Sequence, residues 1–322
     1  MKTRLTTDPD EAAAYLRRGE VVAFPTETVF GLGADAFNAN AVRKIFDAKG
    51  RPGDNPLIVH LARIEQLATV AHHTTPAADM LIQHFVPGPL TLILPKHSAI
   101  SEVVTGGLNT VGVRIPAHPV AQAFLDACDR PVAAPSANRS GRPSPTTWQA
   151  VQADLDGRIA CILQGSQSEA GLESTVVDCT QDVPVVLRAG IITIEQLRTV
   201  LPSLGIAGEN DTTLPRSPGT RYRHYAPHAR VYLVDHPSEA TPAPDAAYLG
   251  LDTPAHPAAF GLTCVCDHVE DYAHALFDFF RRCDAANLRV IYCQRVSSIE
   301  LGHALMDRLQ RAASATTDES AP

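Results

Sequence analysis

The chain lacks most of the short motifs that announce a particular chemistry. No C-x-x-C pair occurs among its seven cysteines. The odd count and scattered positions favour buried, reduced thiols over disulfides or a metal site. Cys264 and Cys266 lie in an apolar run and alternate onto one strand face. There is no G-x-x-x-x-G-K-[ST] phosphate loop, no serine-hydrolase elbow and no internal repeat. His224 and His228 are four apart, but Pro227 argues against the regular helix that such a pair needs to hold zinc. No apolar run reaches the length of a membrane span. Met1 to Arg4 lead into an amphipathic helix rather than an apolar signal core, so a cytoplasmic location is expected. An excess of positive charge is missing too. Lys and Arg number 27 against 35 Asp and Glu, a formal net charge of -8. That balance argues against a broad phosphate-tracking surface, so any anion site must be a local basic cluster.

What is present suits a globular protein. The 322 residues exceed what one core usually holds, so two domains are expected. Asp8 can cap a first helix, with Pro9 in its first turn, Glu11 completing a capping box and Gly19 ending it. The strand Val21 to Phe24 follows, then a helix around Ala41 to Lys49 that stops at Gly50. Further strands are predicted at 57–61, 91–94, 110–115, 132–134, 160–163, 175–179 and 183–187. Helical stretches fall near 64–70, 76–85, 120–128 and 147–155, and Thr193 with Gln196 caps another. Strands and helices interleave, yet some strands are adjacent. The fold class is therefore α/β: a mixed, twisted sheet with flanking helices over 1–210, not a clean doubly wound sheet. A basic linker, 211–230, carries Arg216-Ser217-Pro218-Gly219 and Arg223-His224-Tyr225-Ala226-Pro227. A strand–strand–strand–helix–strand–helix order over 231–315 predicts a smaller, Rossmann-like α/β domain. The polar tail 316–322 is expected to be disordered.

Several polar clusters fall at strand ends or on the non-core face of a strand. Gly31-Leu32-Gly33-Ala34-Asp35-Ala36 fits a permissive dinucleotide pattern, but Pro25 to Val29 separates it from the preceding strand, where a tight turn is required. Lys49-Gly50-Arg51-Pro52 places two cations at a helix C-terminus, which alone could reflect the helix dipole. Beyond it, alternation puts Leu57, Val59 and Leu61 on one face and His60 on the other. Val111, Val113 and Ile115 likewise share a core face, with Arg114 pointing away. In a covered sheet such an arginine has no solvent, so a bound anion becomes its natural partner. Ala134-Pro135-Ser136-Ala137-Asn138 runs on through Ser144 as a loop of hydroxyls, an amide and two arginines, able to cradle phosphates.

In this order, the clusters resemble the threonylcarbamoyl-AMP synthase family, with its YrdC-like domain, in the long two-domain form. The matching segments include Pro25-Thr26-Glu27-Thr28-Val29-Phe30-Gly31-Leu32-Gly33, Lys49-Gly50-Arg51-Pro52, Asn55-Pro56-Leu57 and Pro87-Gly88-Pro89. They continue with Val113-Arg114-Ile115-Pro116, Ala134 to Asn138, Glu173-Ser174-Thr175, Ser217-Pro218-Gly219 and Arg223 to Pro227. Phe30 stands where the family often has tyrosine.

The resemblance implies an ATP-dependent nucleotidyltransferase. L-threonine and bicarbonate would form a carbamate that attacks the α-phosphorus of ATP, releasing pyrophosphate and leaving threonylcarbamoyl-AMP. A tRNA threonylcarbamoyl transferase complex would then carry the group to adenosine 37 of tRNA, and a weak direct contact with tRNA is compatible with this. By resemblance, Lys49 and Arg51 are catalytic. They bind ATP together with Asn55, Thr110, Ser136, Asn138, Ser144, Arg188 and Tyr225. Thr28, His60, Arg114, Ala134 and Ser174 are expected around threonine. The linker would close as a lid, and magnesium would arrive with ATP rather than on protein ligands. Two other readings stay open: a carbamoyltransferase that forms a carbamoyl adenylate, and a module that binds double-stranded RNA or tRNA.

Overall fold

The computed structural model describes residues 2–208 and 225–315. Most of the expected linker, including Ser217-Pro218-Gly219 and Arg223-His224, and the tail 316–322 lie outside the described residues. The first unit contains strands β1 (Arg4–Thr6), β2 (Val22–Phe24), β3 (Gly31–Asp35), β4 (Ile58–His60), β5 (Leu90–Pro95) and β6 (Thr110–Arg114). It continues with β7 (Val132–Ala134), β8 (Cys161–Leu163), β9 (Thr175–Asp178), β10 (Val185–Arg188) and β11 (Gly205–Ile206). Its helices are α1 (Pro9–Arg17), α2 (Ala39–Lys49), α3 (Leu67–Val70), α4 (Pro76–Phe85), α5 (Glu102–Thr105), α6 (Pro119–Cys128), α7 (Trp148–Leu155) and α8 (Ile194–Val200).

The strands form one mixed sheet in the order β1-β8-β2-β3-β7-β4-β6-β5-β9-β10-β11. Apolar side chains explain why both faces are covered. Val42 and Ile45 of α2 and Val151 and Leu155 of α7 pack over Ala23, Leu32, Val59 and Val113. On the opposite face, Ala12 and Leu16 of α1 and Phe124 and Leu125 of α6 pack over Val22, Phe24 and Val132. Helices α4 and α8 supply Leu81 and Leu197 over β5, β9 and β10. Gly31 and Gly33 lie within β3, paired antiparallel with β2, not in a turn. A side chain at Gly33 would meet Val132 at 2.7 Å and the Phe24 ring at 3.0 Å. These glycines therefore admit a ring, and no dinucleotide loop is built from them.

One local expectation is corrected. Asp8 caps α1 by accepting from the Asp10 N–H. Glu11 does not reach back to close the box. It accepts instead from Arg4 Nε at 2.7 Å and Thr6 Oγ1 at 2.5 Å, while Thr6 Oγ1 serves the Asp8 N–H. The short β1, paired with β8, brings those two partners within reach. Thr193 and Gln196 do form their capping box.

The second unit follows the expected order: β12 (Arg230–Val234), β13 (Ala246–Gly250), β14 (Leu262–Val265), α9 (Val269–Ala285), β15 (Val290–Gln294) and α10 (Leu301–Ala315). Its four strands are all parallel, in the order β12-β15-β13-β14. Phe277, Phe280, Leu305 and Leu309 seal one face, and Val29 and Leu172 of the first unit join the same cluster. The two units thus share a core. Where they meet, Gly171 has φ +74°, and a Cβ there would lie 2.4 Å from the His274 Cα. Gly171→Val combines a strained left-handed backbone with overpacking against α9. It is expected to cost about 2 kcal/mol or more. A urea-unfolding midpoint equal to that of the unaltered chain would contradict this packing.

Candidate active site

The non-core face of the central strands opens into a cleft enclosing about 680 Å³ of solvent-connected space. Strands β4 and β6 lie side by side with His60 in register with Arg114. Their alternation buries Val59 and Val113 in the core and turns His60 and Arg114 into the cleft. Of the residues expected around an amino acid, Thr28, His60, Arg114, Ala134 and Ser174 all line it. Of those expected around a nucleotide, Arg51, Ser136, Asn138, Ser144, Arg188 and Tyr225 line it as well. Segments far apart in sequence therefore converge on one cavity.

Three expected residues stand behind that lining. Lys49 is buried at the end of α2. Its Nζ donates to the carbonyls of Ser136 at 2.6 Å and Asn138 at 2.5 Å. It thus anchors the loop that presents Ser136 and Asn138 to the cleft. Burial, with Arg51 close by, lowers its pKa well below the ordinary lysine value. Asn55 is buried, and its Nδ2 finds no partner among the described residues. Thr110 opens β6 opposite Pro95.

Arg114 is held from three sides. Its Nη1 donates to Thr28 Oγ1 at 2.7 Å and its Nε to the Gly88 carbonyl at 3.3 Å. Its Nη2 lies 2.8 Å from Glu27 Oε1, a charge contact rather than an aligned hydrogen bond. Burial pushes the Glu27 carboxyl up, but Arg114 outweighs it and leaves Glu27 below the usual carboxylate range. For His60 the balance is opposite, because Glu27 opposes only part of the lowering. Burial, then the nearby Arg114 charge, lowers its pKa to about 3, so the imidazole is neutral. Phe24 meets the ring edge-on at 5.8 Å.

On the other side, the loop after β7 is fixed by buried acids. Ser136 Oγ donates to Asn138 Oδ1 at 2.5 Å, and Asn138 Nδ2 donates to the carbonyls of Arg139 and Arg142. Asp154 on α7 has a fully buried side chain and pairs with Arg142 and with Arg281 of α9, each at 2.9 Å. Ser144 Oγ donates to Glu173 Oε1 at 2.7 Å. Arg188 Nη2 donates to the Ser174 carbonyl at 2.9 Å and to its Oγ at 3.2 Å. Ser174 Oγ in turn lies 2.8 Å from Thr91 Oγ1.

Sequence reasoning passed over the acids. Glu27 and Glu173 sit inside segments that were singled out, beside Thr28 and Ser174, and that adjacency was the available signal. Asp154 lies in an ordinary amphipathic helix and carried none.

The cleft is a concave site on a mixed sheet, lined by arginines, hydroxyls and one amide, a donor set that suits anionic groups. The chain belongs to the Sua5/YciO/YrdC family. Residues 14–190 match that family's model, which is described as "Telomere recombination". Residues 192–314 match a second model, "Threonylcarbamoyl-AMP synthase, C-terminal domain". A threonylcarbamoyl-AMP synthase of Pyrococcus abyssi is 42% identical, covering 94% of this chain and 92% of its own. One of Bacillus subtilis is 43% identical, covering 96% and 94%. The crystal structure of P. abyssi Sua5 complexed with L-threonine superposes with a TM-score of 0.88 at 39% identity, covering 98% of each chain.

The neutral His60 makes a pH prediction. Unfolded, its pKa returns to about 6.5. Between pH 6.5 and 3 the unfolded chain therefore binds a proton that the folded chain refuses. This contribution to stability is complete above pH 6.5 and is lost as pH falls, by up to about 1.4 kcal/mol per pH unit. His60→Gln is expected to lose stability less steeply than the unaltered chain over that window. Parallel curves of unfolding free energy against pH would contradict a neutral, buried His60.

Proposed function

We propose that the chain is an L-threonylcarbamoyladenylate synthase, acting on L-threonine, bicarbonate and ATP. The observation that carries the reading is the meeting of two chemically different walls in one cleft. One wall offers Arg114, Thr28, Ser174 and a neutral imidazole; the other offers Arg51, Ser136, Asn138, Ser144 and Arg188. The near full-length likeness to threonylcarbamoyl-AMP synthases selects this reaction among those such a cleft could serve.

In this reading, Arg114 receives the threonine carboxylate, because its fork matches that group. Glu27 holds the guanidinium in place and shares it with the substrate. His60, being neutral, adds no charge and acts as a polar wall. The threonine amine and bicarbonate condense to a carbamate with loss of water. A carbamate oxygen attacks the α-phosphorus of ATP, the bond to the bridging oxygen breaks, and pyrophosphate leaves. Such a displacement needs alignment and charge neutralisation more than a strong base. Arg51 and Arg188 supply that charge. Lys49 acts one step removed, by fixing the Ser136–Asn138 loop. Asn55 and Thr110 complete the nucleotide end. Tyr225 lines the cleft as well. A catalytic domain of 1–210 and a second domain of 231–315 complete this reading, while most of the 211–230 segment, expected as a lid, lies outside the described residues.

Magnesium would travel with the triphosphate. Among the described residues no group of three or more His, Cys, Asp or Glu side chains is placed to hold a metal ion. Such an ion is coordinated largely by phosphate oxygens and water. The product would pass to a tRNA threonylcarbamoyl transferase complex, in the cytoplasm. Among the described residues no helix is long and apolar enough to cross a membrane.

Pyrophosphate release from ATP and bicarbonate tests the reading, and it should require threonine. Equal release with serine or with no amino acid would reject it in favour of another carbamoyl-adenylate chemistry. Arg51→Ala is expected to abolish release while leaving the fold intact. Arg114→Ala is expected to raise the KM for threonine about 30-fold or more, since it strands a buried carboxylate. An unchanged KM would remove Arg114 from the amino-acid site.

A further inference from the structure

Glu173 is the one carboxylate among the described residues that line the cleft. A lone acid is an unexpected wall for a site that takes a triphosphate, and its surroundings show how it is accommodated. Oε1 accepts from Ser144 Oγ at 2.7 Å, and Oε2 accepts from Arg308 Nε at 3.0 Å. Arg308 lies on α10, in the second unit, and its side chain has 0% exposure. Its Nη2 donates to the Ala189 carbonyl at 3.0 Å, beside Arg188. Its Nη1 donates to Asp307 Oδ2 at 2.7 Å, and its guanidinium carbon stands 5.5 Å from the centre of the Tyr225 ring. Tyr225 in turn stacks on Phe277 of α9 at 5.4 Å. One arginine thus touches an acid of the cleft, the backbone next to Arg188, and the Tyr225 ring.

We propose that Arg308 is a positioning residue supplied by the second unit: it neutralises Glu173, which then serves as a fixed acceptor that orients Ser144 toward the nucleotide. This rests on the nucleotide reading of the cleft. Burial alone would push the Glu173 carboxyl up, yet Arg308 and then Arg188 outweigh it and keep the group ionised. Without Arg308, Glu173 would lose its paired cation and keep only the more weakly acting Arg188 against its charge, presenting an under-compensated acid to an anionic substrate, and Ser144 would lose its fixed acceptor geometry. The fault would therefore fall first on ATP, because the threonine corner is built around Arg114 and touches this network only through the contact of Ser174 with Arg188.

The test is a double-mutant cycle in the full-length chain, reading the KM for ATP and for threonine in threonine-dependent pyrophosphate release. Arg308→Met is expected to raise the KM for ATP about tenfold or more, with the KM for threonine within about twofold. Adding Glu173→Gln removes the stranded charge and should bring the KM for ATP back to within about threefold of the unaltered value. Arg308→Lys keeps the charge but not the fork, so a rise of about threefold is expected. If the methionine variant does not fold, the lysine variant against the unaltered chain reads the same quantity. Three results would overturn the proposal: an ATP KM unmoved by either substitution of Arg308, a rise that Glu173→Gln fails to relieve, or an equal rise for both substrates. An unaltered chain that releases no threonine-dependent pyrophosphate would instead reject the proposed function, leaving this pairing structural.

Discussion

Two buried carboxylates, Asp154 and Glu173, are neutralised by arginines from the other half of the chain, Arg281 of α9 and Arg308 of α10. Burying such acids without partners would cost several kcal/mol each. The second unit therefore adds to the charge balance that Arg142 and Arg188 of the first unit begin, as well as to the apolar seal around Val29 and Leu172. The same two acids hold the cleft. Asp154 accepts from the Arg139 N–H at 3.2 Å and from Arg142, and Glu173 accepts from Ser144. The loop from Asn138 to Ser144 is thus tied at both ends to groups that the second unit keeps in place. The contacts that join the two units also shape the cleft.

That arrangement also explains how an acidic protein offers an anion site. The net charge of -8 is spread over the whole chain. Inside the cleft the balance reverses, because Arg51, Arg114, Arg142 and Arg188 face one lining carboxylate. Burial strengthens the charges of Arg114 and Arg188 relative to water. It also makes each one dependent on partners. Arg114 leans on Glu27 and Thr28, and Arg188 leans on the Ser174 carbonyl. Ligand groups then enter a set of donors already aimed, which lowers the ordering cost of binding.

Much of this was legible in the sequence, for identifiable reasons. Period-2 alternation at 57–61 and 111–115 placed His60 and Arg114 off the core, and the sheet turns both into the cleft. Helix signals were equally direct. The Thr193 and Gln196 box closes as expected, and α4 spans Pro76–Phe85. What failed was whatever depends on partners distant in sequence. Glu11 fits the capping-box spacing, but Arg4 and Thr6 on β1 compete for it and win. Lys49 reads as a cation for a ligand, and nothing local announces the carbonyls 87 and 89 residues away that its Nζ also meets. Arg308 is separated from Glu173 by 135 residues and resembles an ordinary helix-surface arginine in sequence. No local pattern could distinguish it.

The central claim is that one cleft joins threonine, a bicarbonate-derived carbon and AMP. Mass spectrometry of the reaction run with isotopically labelled bicarbonate tests this most directly. The account predicts a threonine-containing adenylate that carries the label and appears only when ATP, threonine and bicarbonate are all present. An adenylate without the label, or a labelled adenylate formed without threonine, would contradict it.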